Sequence, residues 1–201
     1  MQSSPYSNFG ENLRDVLVLR SLSNQASSWT RKSGSFYGSK EYVRVLNNTS
    51  IVLLVAAWQV FIEDLVSWAF TMLSGKGRVS QRVVDSKIVG FNTPNQQKVD
   101  ELVERKLGIQ NLSANWHWSG VSTAAAKKKL QSLINHRNGI AHKLTKEVRM
   151  TNSGIDDYIH FISILVVISN NRVRSSLRQA DIGTFPGEAG YRRGQAKRFI
   201  R

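Results

Sequence analysis

The chain has 201 residues, 41% of them hydrophobic, no cysteine and a formal net charge of +14. That length suits one domain, or one domain with tails, and the apolar content is enough for a real core. The missing cysteine excludes a disulfide framework and a thiolate metal site, while the basic balance points to a polyanion, with nucleic acid ahead of an anionic membrane surface.

Residues 11–23 form the first predicted helix, with Leu13, Val16, Leu17 and Leu19 as its apolar stripe. The Ser-, Gly- and Lys-rich stretch 27–42 reads as a loop. Asn48, Thr49 or Ser50 then offers a cap for a second helix running to residue 73. This helix is apolar almost all round and long enough to span a bilayer. Gln59, Glu63 and Asp64 near its centre argue instead for the central helix of a bundle, since carboxylates in lipid are costly. The Ser74-Gly75-Lys76-Gly77 turn ends it; it is too short for a phosphate loop.

Residues 78–94 are ambiguous, with a break at Asn92-Thr93-Pro94. A helix over 95–107 stops at Gly108, and 111–121, with Trp116-His117-Trp118, reads as a structured loop. Ser122 or Thr123 caps a helix over 123–141, residues 151–154 make a turn, and a last helix covers 155–177. No repeat or heptad run is evident. The expected fold is all-α, a bundle of four to five main helices in one domain, residues 1–178. A flexible, basic, Gly-rich tail follows at 179–201, whose last eleven residues hold five cations and no acid.

The chemistry concentrates at the end of the fourth helix, where Arg137-Asn138-Gly139-Ile140-Ala141-His142 follows an apolar run. Arginine holds a phosphate in two-point hydrogen bonds and keeps its charge. Histidine moves a proton near neutral pH. On a continuous helix the two side chains point about 140° apart, so they do not make one compact pair. Either the helix ends at Gly139 and lets His142 swing round, or each residue meets its counterpart across a twofold axis. The bland alternative is a pair of cations favouring the helix dipole at its C-terminus.

Arg137-Asn138-Gly139-Ile140-Ala141-His142 resembles the Arg-polar-x-x-x-His signature of HEPN domains, and Ala56-Ala57-Trp58-Gln59-Val60-Phe61-Ile62-Glu63-Asp64-Leu65 is similar to the second-helix pattern of the RiboL-PSP-HEPN branch. The likeness covers roughly residues 11–178. It departs at Gln59, where relatives commonly carry an acid, and at Gly139, an unusual helical residue. The resemblance implies a helical, metal-independent endoribonuclease that dimerises to bring two motifs to one cleft. Arg137 and His142 would be the catalytic residues and Asn138 a support. No cofactor and no metal would be needed. RNA would be the substrate, an antitoxin or other regulatory protein a possible partner, and the biological role that of a toxin or antiviral effector. A non-catalytic HEPN-like binding module and a basic helical adaptor are the alternatives.

Around this centre, Glu63 and Asp64 either line the cleft or make a structural salt bridge. Lys127-Lys128-Lys129 is either a solvated face or a lead for the RNA backbone. His136 reads as a chance neighbour of Arg137, His160 as an ordinary interior or edge histidine, and Trp116 and Trp118 as a plug for a core edge rather than a base-stacking pair. The histidines lack an acid-rich ligand pattern. Residues 1–20 carry Glu11, Arg14 and Asp15 in place of a secretory signal. A cytoplasmic location and no membrane attachment are therefore expected.

Overall fold

The computed structural model describes residues 4–33, 39–74, 91–142 and 150–181. Among the described residues there are five α-helices and no strand: α1 Pro5–Ser33, α2 Ser39–Ser74, α3 Gln96–Leu107, α4 Thr123–Ala141 and α5 Asn152–Asp181. A 3-10 turn, Leu112–Asn115, follows α3, and the only extended pairing among the described residues is an isolated bridge between Trp118 and Val121. The tail expected from residue 179 lies outside the described residues from 182 onward, and the ambiguous 78–94 stretch lies outside them up to residue 90.

Several helix boundaries differ from expectation. The first helix starts at Pro5 rather than Glu11. Ser4 Oγ accepts the Ser7 N–H at 3.1 Å, and proline at the first helical position loses no bond there. The helix also continues through residues 27–33, first read as loop, while α2 already begins at Ser39. Ser27 and Ser28 turn their hydroxyls back onto the carbonyls of Ser23 and Gln25 at 2.8 and 2.7 Å, which keeps both compatible with a helix. The residues proposed to cap α2 stand inside it. Thr49 and Ser50 turn their hydroxyls back onto the carbonyls of Val45 and Leu46 at 3.0 and 2.8 Å, an arrangement that needs no helix end. Residues 151–154, read as a turn, open α5: Thr151 Oγ1 accepts the Gly154 N–H at 3.1 Å. Asn95, expected as the first residue of α3, is its cap, Ser122 of the two candidates caps α4, and Gly108, at φ 71°, closes α3 in the left-handed conformation.

The core wraps α2. By length and composition α2 could cross a membrane, but half of its apolar window is buried by the rest of the bundle, the pattern of a central helix. Trp58 and Trp116, both fully buried, meet edge to face at 5.9 Å. Their indole N–H groups are satisfied by Pro94 O at 2.9 Å and Ser169 Oγ at 3.0 Å. Trp116 is thus core, as favoured, and Trp118 packs on Phe161 at its edge. Asp100 folds the 3-10 turn back onto α3 by accepting the Ser113 N–H at 2.8 Å and its hydroxyl at 2.5 Å.

A polar cluster ties α1, α2 and the start of α5. Asn47 donates to Met150 O and to Asn152 Oδ1, both at 2.9 Å, and accepts from Ser23 Oγ at 2.7 Å. Arg20, 8% exposed, grips Asp156 in a two-point bond at 2.6 and 2.5 Å. These bonds fix where the chain re-enters the bundle after the α4 motif.

Candidate active site at the end of α4

Leu130, Leu133 and Ile134 are buried and anchor α4 to the core. Arg137 lies within about 60° of all three around the helix. Its stem therefore continues the apolar face, leaving the residue half-buried. Its guanidinium donates to the side chain of its neighbour, Nη1 to Asn138 Oδ1 at 3.2 Å, and makes no ion pair among the described residues.

The helix does not break at Gly139. It runs to Ala141, and His142 is its C-cap, with the His142 N–H bonded to Asn138 O at 3.0 Å. The first route to a compact pair is thereby removed: on this continuous helix Arg137 and His142 diverge by about 140°. Asn138 joins them through the backbone on one side and its amide oxygen on the other. The His142 side chain is exposed.

The other candidates divide. Glu63 accepts from Gln59 Nε2 at 3.0 Å, and Asp64 accepts from Asn8 Nδ2 at 2.8 Å. Among the described residues neither forms a salt bridge, and neither bonds to Arg137 or His142. Their height explains this. Asn47 bonds Asn152, and Trp68 lies beneath Arg174 at 4.8 Å, so α2 and α5 advance in parallel. Tyr158 therefore stands level with about residue 53 of α2. Its hydroxyl meets His136 Nδ1 at 3.2 Å, which puts the Arg137 turn at that height and Glu63 about 15 Å further along α2. Within one chain the two acids do not line the motif.

The lysine run divides as well. Lys129 is committed within the chain, paired at the surface with Asp157 at 2.5 Å and held over the Tyr158 and Phe161 rings. Lys128 is exposed but lies roughly opposite Arg137 around the helix, and Lys127, half-buried, is about 80° away. As an RNA lead the run is reduced to Lys127 and Lys128. Of the interior or edge positions expected for His160, its exposure fits the edge, and His117 is exposed between its tryptophans. No cluster of three His, Asp or Glu side chains able to hold a metal occurs among the described residues.

His136 has more structure around it than a chance neighbour needs. Its ring packs edge to face on Tyr158, whose hydroxyl also donates to Ser132 Oγ at 3.2 Å. Burial holds the imidazole below its ordinary value of 6.5. The unfolded chain takes up this proton near pH 6.5 while the folded chain resists it, so the His136 contribution is complete above pH 6.5 and is lost as the pH falls through the depressed folded value. Thermal unfolding at about pH 7.5 and about pH 5.5 should show a smaller acid loss in His136→Gln than in the wild type. An equal loss in both would remove this account.

A family model described as RiboL-PSP-HEPN matches residues 12–173, most of the chain and all of the motif. No curated protein and no solved structure matches.

Proposed function

We propose, from the premise that this chain belongs to the RiboL-PSP-HEPN family, that it is a metal-independent RNA endonuclease whose site is built from the Arg137 turns of two copies. The observation that carries this reading is the state of the motif. An arginine free of ion pairs among the described residues and an exposed histidine lie five residues apart at the end of one continuous helix. Leu130, Leu133 and Ile134 anchor that helix in the core, as a preorganised phosphate site requires.

The reaction follows from the residue types. The RNA 2′-oxygen bonds to the adjacent phosphorus, and a histidine takes its proton. The bond from phosphorus to the 5′-oxygen breaks, and a protonated histidine supplies the proton the leaving oxygen needs. Arg137 meets the charge that builds on the non-bridging oxygens. The products carry a 2′,3′-cyclic phosphate and a 5′-hydroxyl. One copy has one His142, whereas in-line transfer uses a base and an acid on opposite sides of the phosphate. Two copies supply both, which also resolves the divergence of Arg137 and His142. We extend the reading to a cytoplasmic toxin or defence effector restrained by a regulatory protein; family likeness and the cysteine-free composition support that step.

The test is incubation of the purified protein with total RNA and with matched single-stranded DNA, both in EDTA, followed by end-group analysis. RNA should be cut to cyclic-phosphate ends and DNA left whole, because DNA lacks the nucleophile. Cleavage of both, or strict dependence on a divalent ion, rules the mechanism out. A second reading, a binding module without catalysis, draws on the same 140° divergence. It takes over if a stable monomer binds RNA and cuts none.

A further inference from the structure

Tyr158 has one hydroxyl proton, and the direction it takes fixes the state of His136. That proton goes to Ser132 Oγ at 3.2 Å. Lys129 lies over the same ring at 5.8 Å and offers only donors. The 3.2 Å contact between Tyr158 Oη and His136 Nδ1 is therefore left with one donor, the Nδ1–H. A neutral imidazole with its proton on Nδ1 carries a lone pair on Nε2. Burial favours that neutral form, and the edge-to-face packing on Tyr158 holds the ring in place. Nε2, on the far side of the ring from the Tyr158 bond, is open to solvent. It has no partner, and it is not among the partnerless buried atoms of the described residues, which are Asn48 Oδ1, Arg172 Nε and Ser176 Oγ.

We propose that His136 Nε2 is a specificity-determining acceptor, which takes a hydrogen bond from the nucleotide beside the phosphate that Arg137 holds. Adjacent helical residues diverge by about 100°, which sets the working ends of His136 and Arg137 roughly 10 Å apart. They do not grip one phosphate together. The separation suits a phosphate on Arg137 and the neighbouring sugar or base on His136. The chemistry narrows the contact further. A lone acceptor gains nothing from phosphate oxygens, which are acceptors themselves, and calls for a projecting donor. RNA has two kinds: the amino groups of adenine, cytosine and guanine, and the ribose 2′-hydroxyl. The imino N–H of uracil lies between two carbonyl oxygens, whose lone pairs repel that of Nε2. A tyrosine–histidine pair that only packs needs neither a fixed tautomer nor an open nitrogen. The inference rests on the RNA reading above and adds a residue that discriminates between nucleotides.

The test reads binding rather than cleavage. Full-length His142→Ala protein, which lacks the proton carrier of the proposed reaction, is titrated in EDTA against labelled RNA hexamers by fluorescence anisotropy. One arm compares adenosine and cytidine hexamers with hexamers of purine riboside and pyrimidinone riboside, which lack the amino group. The other arm compares each RNA hexamer with its DNA counterpart, which lacks the 2′-hydroxyl. One of these two removals should weaken binding about five- to tenfold, and the arm that responds identifies the donor. Adding His136→Phe keeps a ring against Tyr158 and removes the acceptor, so that difference should vanish. His136→Gln, whose amide oxygen can stand near the place of Nε2, should keep part of it. Tyr158→Phe keeps the packing and frees the tautomer, and should reduce it. A difference that survives His136→Phe, no difference in either arm, or no binding at all overturns the proposal. Discrimination that depends on His136, in a protein whose wild type cuts no RNA, leaves the contact standing and removes the nuclease. Cleavage by a wild type without that discrimination does the reverse.

Discussion

Arg137→Ala and His142→Ala should each lower RNA cleavage at least about a hundredfold, close to 3 kcal/mol of transition-state stabilisation, and leave the bundle folded. The fold survives because, among the described residues, the Arg137 guanidinium bonds only Asn138, and the His142 side chain is exposed. What goes is charge opposite the phosphoryl oxygens in one variant and a proton carrier in the other. Arg137→Lys keeps the charge without the two-point fork and should fall between wild type and alanine. Mixing the two alanine variants separates a shared site from two independent ones. About half of the dimers then carry one Arg137 and one His142 on different copies. Recovery of activity above either parent supports a shared site served by one Arg137 and one His142, whereas activity that never rises above the parents means that both His142 side chains are needed, as the base-and-acid scheme requires. Full activity in either single variant removes the catalytic assignment altogether.

Trp116→Ala should cost about 3–5 kcal/mol of stability, a large share of the roughly 5–15 kcal/mol that holds a domain together. Trp116 is fully buried against Trp58, and its indole satisfies Ser169. Truncation opens a cavity where the 3-10 turn meets α2 and α5, and it strips a buried hydroxyl of its partner. Trp116→Phe refills most of the volume and loses only the N–H, so its cost should be clearly smaller. Urea denaturation followed by circular dichroism gives both values. A loss under about 1 kcal/mol for Trp116→Ala would mean that this loop is not part of the cooperative core.

The all-α class, α3 and α4 were legible because their signals are local. Asn95 and Ser122 are capping side chains directly before apolar periodicity, and Gly108 supplies the conformation that ends α3. The start of α1 was equally local, in Ser4-Pro5, and went unread because the apolar stripe begins later. The continuation of α1 to Ser33 and the early start of α2 were not legible. Ser27, Ser28 and Thr30 are weak helix formers, and no local signal in the sequence carries a helix through them.

By itself the sequence determined the residue types at the motif, their interval on a helix and the uncharged length of α2. These are properties of covalent order and helical pitch, which no neighbour can change. Tertiary structure decided the rest, because burial and partnership depend on what lies across a gap. It set Lys129 into a pair with Asp157 rather than a free run, gave Glu63 and Asp64 partners about 15 Å from the motif, and carried α4 unbroken through Gly139. It also left one face of α2 uncovered while burying the other. Side chains of identical chemistry along that helix differ only in whether another helix has taken them out of water.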